Sequence, residues 1–150
     1  MVVKYRHTQV GRVTLAAIAV GVAVGLLACV LSGWSVRGLP LAVTILLLVV
    51  AVLFGSLTVT VGTRDLVIRF GPGPIGKRWQ LAEITDAQAV TNPWWYGWGI
   101  RVTPVGWLYN VSGLGAVEIR LSSGKRARIG TDEPERLAAA IRQHRELLSR

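Results

Sequence analysis

Cysteine, histidine and acidic side chains are scarce in this chain. One cysteine, Cys29, among 150 residues removes any disulfide framework or cysteine-based zinc site within a single chain. The two histidines, His7 and His144, lie at opposite ends, so neither a shared metal site nor a His-based triad is expected, and neither has a partner visible in the sequence. Eight Asp or Glu oppose seventeen Lys or Arg, a formal net charge of +9, and every acid follows Gly62. Between residues 13 and 63 the only charge is Arg37. That gap is the organising feature of the chain.

The two uncharged runs, 13–36 and 38–63, each exceed the roughly 20 apolar residues that cross a ~30 Å hydrocarbon core. Helices satisfy their own backbone groups there, so the runs predict a transmembrane helical hairpin, 13–34 and 39–56. Pro40 suits a first helical turn, residues 35–38 make the connection, and Trp34 marks the outer interface. Lys4, Arg6 and Arg12 precede the first helix, and Arg64 and Arg69 follow the second. The positive-inside rule therefore puts both termini in the cytoplasm of a multi-pass protein of the cell (inner) membrane. The predicted organisation is a basic cytoplasmic leader, 1–12, the hairpin, 13–56, and a cytoplasmic domain, 57–150. Leu26-Leu27-Ala28-Cys29 resembles a lipoprotein cleavage site, but a second full-length span after it would make the lipid anchor redundant.

Ala17, Gly21, Gly25 and Cys29 recur at every fourth position of the first helix. Such a small-residue stripe permits close helix approach, and packing against Ala51 and Gly55 of the second helix is preferred to pairing with a second copy.

Beyond the membrane the period becomes alternating. Residues 57–61 and 66–70 flank a turn and read as a β-hairpin that starts where the second helix leaves lipid. Strands follow at 77–81, 85–91, 99–102, 107–111, 116–121 and 125–129, with a helical turn at 82–84. Asp132 and Glu135 have capping-box spacing, Pro134 fits a first turn, and Leu137, Ile141 and Leu148 form the apolar face of a terminal helix. Seven or eight strands and one helix predict an α+β or all-β domain, either a partly open barrel or two packed antiparallel sheets.

Four runs carry a family resemblance: Leu66-Val67-Ile68-Arg69-Phe70-Gly71, Trp98-Gly99-Ile100-Arg101, Tyr109-Asn110-Val111-Ser112-Gly113 and Gly130-Thr131-Asp132-Glu133-Pro134. With the two spans, the chain resembles bacterial membrane-anchored proteins with a pleckstrin-homology (PH)-like domain. The resemblance implies a PH-like barrel with a C-terminal helix, and it implies no reaction. Eukaryotic relatives grip inositol phosphates with a basic first hairpin loop, whereas this loop has Arg64 beside Asp65.

Catalytic motifs fail on inspection. Gly71-Pro72-Gly73-Pro74-Ile75-Gly76 matches a dinucleotide fingerprint and the start of a P-loop, but its prolines lack amide donors and Arg78 stands where a magnesium-binding hydroxyl is needed. Asp132, Glu133 and Glu135 are capping and helix-dipole residues. Asn110-Val111-Ser112 is a sequon without consequence on a cytoplasmic strand. No catalytic, cofactor or metal residues are assigned, and no helix gathers the basic side chains for nucleic acid.

Four of the six tryptophans fall between 94 and 107. Trp98 and Trp107 are expected to fill the barrel. Trp94, Trp95 and Tyr96 are consecutive and cannot all point one way, so at least one is exposed; with Arg101 they form the candidate lipid or partner contact. The sequence thus predicts a non-enzymatic membrane-anchored binding or scaffolding module whose partners are the bilayer and a membrane protein. The alternative is a structural or regulatory subunit recognised through its transmembrane helices.

Overall fold

The computed structural model describes residues 3–33 and 37–148. Trp34 and the first half of the expected 35–38 turn lie outside the described residues. The elements run β1 (Val3–Val10), α1 (Arg12–Leu31), α2 (Gly38–Phe54), β2 (Ser56–Gly62), β3 (Asp65–Phe70), β4 (Ile75–Gln80), β5 (Ile84–Thr91), β6 (Gly99–Thr103), β7 (Gly106–Asn110), β8 (Gly115–Leu121), β9 (Arg126–Gly130) and α3 (Pro134–Leu148). Single 3-10 turns occupy Leu81–Glu83 and Trp94–Tyr96. The architecture is α+β: a pair of apolar helices, two sheets and a C-terminal helix.

The predicted basic leader is a strand. β1 pairs antiparallel with β2, Tyr5 opposite Val61, His7 opposite Val59 and Gln9 opposite Leu57, and completes a four-stranded sheet of order β1-β2-β3-β4. Its inward positions are therefore Tyr, His and Gln, so the apolar alternation that marks a half-buried strand is missing from its sequence. The helical hairpin is consequently an insertion between two neighbouring strands.

α1 is long and apolar enough to cross a membrane, whereas α2 has 17 residues because β2 begins at Ser56, inside the second apolar run. Among the described residues one helix thus reaches full span length, where two were expected. None of α1 is buried, and only Thr44 of α2 is, so the helices keep apolar surface outward, Val20 and Val24 included. Leu15 approaches Gly55, Gly21 approaches Leu47 and Gly25 approaches Thr44, an order that makes the pair antiparallel.

β2 and β3 alternate as expected, with Leu57 opposite Phe70, Val59 opposite Ile68 and Val61 opposite Leu66, all buried. The second sheet, β5-β8-β9-β7-β6, differs from the expected antiparallel arrangement. β9 inserts between β8 and β7 and lies parallel to β7, Leu108 opposite Arg128. Val117, Ile119 and Ile129 from this sheet meet the β2 and β3 residues in one core, closed by Leu137, Ala138 and Ile141 of α3.

Candidate functional site

The Trp-rich loop leaves β5 at Asn92. Pro93 is extended, Trp94–Tyr96 make one 3-10 turn, and Gly97 and Gly99 at φ 66° and 98° supply left-handed conformations that redirect the chain into β6. The loop is held from below. The Asn92 amide donates to the Leu114 carbonyl at 2.7 Å, and its side-chain oxygen accepts from Arg128 at 3.0 Å. The Arg128 guanidinium also donates to Glu118 at 2.9 Å and lies 5.9 Å from the Tyr96 ring centre. Arg128 and Glu118 are 13% and 11% exposed, so this charge-assisted pair is shielded from water and anchors the loop more firmly than a surface pair could.

Trp94 and Trp95 project away from that base, 74% and 66% exposed, with their rings edge to face at 6.0 Å. Tyr96 is half-buried on Arg128 and belongs to the anchor rather than to the tip. Pointing two rings out and one in is how the backbone resolves three consecutive aromatics.

Behind the tip is an open groove of ≈ 690 Å³ between the helix bases and β6. Ala17 and Ile18 of α1 form one wall with Phe54 of α2; Trp98, Ile100 and Arg101 form the other. Among the described residues Arg101 is its only charged lining residue. The Arg101 Nε donates to the Trp98 carbonyl at 3.0 Å, and the Trp98 indole donates to the Gly113 carbonyl at 3.2 Å. The loop carrying Gly113 is tied to α1 by the Thr14 hydroxyl, which donates to the Val111 carbonyl at 2.8 Å. Helix base, strand and loop are thus one surface, and its chemistry is apolar contact beside a single guanidinium.

Two tryptophans are not where the sequence suggested. Trp98 is 38% exposed and lines the groove, and Trp107 is 50% exposed on β7, where it stacks on Tyr109 at 6.3 Å. The indole in the core is Trp79, 6% exposed and edge-on to Tyr109 at 5.6 Å. Its neighbours Lys77, Arg78 and Gln80 are solvated, so no alternating pattern marked it; pairing with buried Leu66 decides which way it points. Trp98, Arg128 and Asn92 are the site residues that sequence reasoning missed. Their roles depend on contacts across the second sheet.

The small-residue stripe divides. Gly21 and Gly25 face α2, but they meet Leu47 and Thr44 rather than Ala51 and Gly55, and a Cβ on Gly25 would collide with the Thr44 hydroxyl. Cys29 is half-buried, while Ala17 is exposed and opens onto the groove.

The acidic start of α3 has a structural use. His7 Nε2 lies 2.5 Å from Asp132 and Nδ1 lies 3.6 Å from Glu133, so His7 does have partners. Glu133 also accepts from the Tyr5 hydroxyl at 3.4 Å and from Arg136 at 2.9 Å. Burial, followed by the Glu133 charge and this hydrogen bond, pushes the Tyr5 hydroxyl up to about 12. Just before α3 the Thr131 hydroxyl accepts from the Glu133 amide at 3.1 Å, while Asp132 of the expected box meets His7. Among the described residues no group of three or more His, Cys, Asp or Glu could hold a metal ion.

Comparison of the chain with protein-family models and with curated proteins finds no match.

Proposed function

We propose that the chain is a non-enzymatic, membrane-anchored binding or scaffolding module of PH-like architecture, held at the cytoplasmic surface of the cell membrane. The observation that carries this reading is the pair Trp94 and Trp95, exposed side by side on a loop whose base is fixed by Arg128 and whose flank is the groove against α1 and α2. Exposed indoles on a rigid support offer large contact area at little entropic cost, which suits a protein surface or a headgroup layer. Arg101 adds positive charge to the same surface.

Three features support the anchor. β1 and β2 pair on one side of the hairpin, so a chain that leaves through α1 returns through α2 to the same side. Seventeen helical residues rise roughly 26 Å, near the short end of what spans a bilayer. Lys4, Arg6, Arg12, Arg64 and Arg69 all lie on the domain side, which favours a cytoplasmic location for both termini. Two sheets over one core with a terminal helix across them support the PH-like reading.

The test is mass spectrometry of proteins and lipids that co-purify with the full-length chain in mild detergent, alongside the Trp94→Ala/Trp95→Ala double variant. Loss of a partner from a variant of unchanged thermal stability supports the contact site. Full retention by the folded variant overturns it.

The second reading is a structural or regulatory subunit recognised through its helices, favoured by the outward apolar faces of α1 and α2. It requires capture to survive the double Trp substitution and to fail when the exposed Val20 and Val24 are replaced by Leu.

A further inference from the structure

The outward face of the four-stranded sheet carries an arrangement that the Trp-rich site does not use. One cross-strand row reads Arg6, Thr60, Val67 and Arg78; the next reads Thr8, Thr58, Arg69 and Gly76. Side chains two apart on a strand share a face, so Arg6, Arg69 and Arg78 surround the hydroxyls of Thr58 and Thr60. With the turn after β3 they line a concavity of ≈ 280 Å³. The stem of Arg69 lies over Gly76 and Gly73, 3.4 Å from where a Cβ on either would stand, so side chains there would press on it.

Charge balance is lopsided at this place. Asp65 stands 4.0 Å from Arg78, whereas Arg6 and Arg69 pair with no carboxylate among the described residues. Guanidinium forks converging beside hydroxyl donors suit phosphate oxygens, and like charges gathered on one face are relieved by a bound anion. The rim gives the depth of the site. Gly71 rests so closely on the end of α2 that a Cβ there would collide with the Val52 carbonyl oxygen, and its amide donates to the Ser56 carbonyl at 2.9 Å. The concavity therefore sits beside the point where the apolar helix ends.

We infer that Arg6, Arg69 and Arg78, with Thr58 and Thr60, form a binding site for the phosphate of an anionic glycerophospholipid in the leaflet next to the domain. This rests on the reading of α1 and α2 as membrane helices. A second, electrostatic hold on the bilayer would add to the anchoring that the hairpin provides.

The experiment uses the full-length protein in mild detergent, mixed with phosphatidylglycerol and phosphatidylcholine in equal amounts, with bound lipid counted by native mass spectrometry. Wild type is expected to retain phosphatidylglycerol in preference, and Arg6→Gln/Arg69→Gln to lose about 10-fold of that preference. Arg142→Gln on the exposed face of α3 is expected to keep it. Equal losses in all variants mean net charge alone and overturn the site, as does an unchanged preference in a double variant whose thermal stability matches wild type. Should the double variant unfold, Thr60→Val supplies the same comparison. Inorganic phosphate is titrated in parallel: saturable binding of free phosphate, abolished by the double variant and without any lipid preference, overturns the lipid assignment. Carbonate extraction of membranes separates the two failures, because release of the wild-type chain overturns the anchor, whereas a retained chain with no lipid preference overturns this inference alone.

Discussion

The Gly11 amide donates to the Gly55 carbonyl at 2.8 Å, so the hairpin of α1 and α2 enters and leaves the sheet at adjacent points of one ladder. Gly55 has no room for a side chain, and Gly11 has little. A Cβ on Gly55 would collide with the Ala51 carbonyl and come within 3.1 Å of Leu15, and one on Gly11 would stand 3.1 Å from the Val111 carbonyl. Gly55→Val is expected to destabilise the protein by roughly 1–3 kcal/mol or more, since it overpacks the junction. Thermal unfolding in detergent measures it, and an unchanged midpoint would mean that the helices pivot freely.

The same junction predicts how a soluble form can be made. Val10 and Ser56 are partners in the ladder, so replacing residues 11–55 by an Asn-Gly turn should close β1 and β2 as an ordinary β-hairpin. The shortened chain is expected to be monomeric in water with native-like strand signals. A fragment of residues 57–150 lacks β1 and exposes the edge of β2, so it is expected to aggregate. If the fragment is the better behaved of the two, β1 is dispensable.

Tyr5, held at about 12 against its ordinary 10.0, makes stability depend on alkaline pH. Burial is the largest cause, and the Glu133 and Asp132 charges add to it while Arg136 opposes. The folded state favours the neutral phenol, so this contribution is fully present below about pH 10 and is lost as pH rises through about 12. Titration of tyrosinate absorbance should show a late-ionising group that Tyr5→Phe removes. A high-pH limb unaltered by that substitution would refute the assignment.

His7 and Asp132 couple the first strand to the last helix, and a double-mutant cycle measures that coupling directly. With Asp132 60% exposed, each of His7→Ala and Asp132→Ala is expected to cost about 1 kcal/mol, with a coupling of about 0.5 kcal/mol or more. Strictly additive losses would mean that the two side chains act separately.

Tryptophan substitutions should sort by environment. Trp79→Ala is expected to cost about 3–5 kcal/mol because it empties a core position. Trp107→Ala, on an exposed ring of β7, should cost well under half of that. Chemical denaturation ranks the two, and the opposite order would place Trp107 in the core.

Much of the polar domain was legible because its strands alternate. Leu57, Val59 and Val61, or Val117 and Ile119, are apolar at every second residue, which is what a sheet with one buried face imposes. The terminal helix announced itself through Pro134, Leu137 and Ile141. β1 stayed hidden because Tyr5, His7 and Gln9 face inward, where burial is made tolerable by Glu133, Asp132 and the Ser112 carbonyl, partners more than a hundred residues away.

The chain's own pattern determined that two apolar helices accompany an α+β domain and that at least one of three consecutive aromatics is exposed, because periodicity and excluded volume are local properties. Tertiary structure alone decided that Trp94 and Trp95 are the exposed pair, that Tyr96 turns in onto Arg128, and that Arg6 stands beside Arg69 and Arg78. Those outcomes depend on which strands pair and in what register, and register is a property of two distant segments together, which neither segment carries by itself.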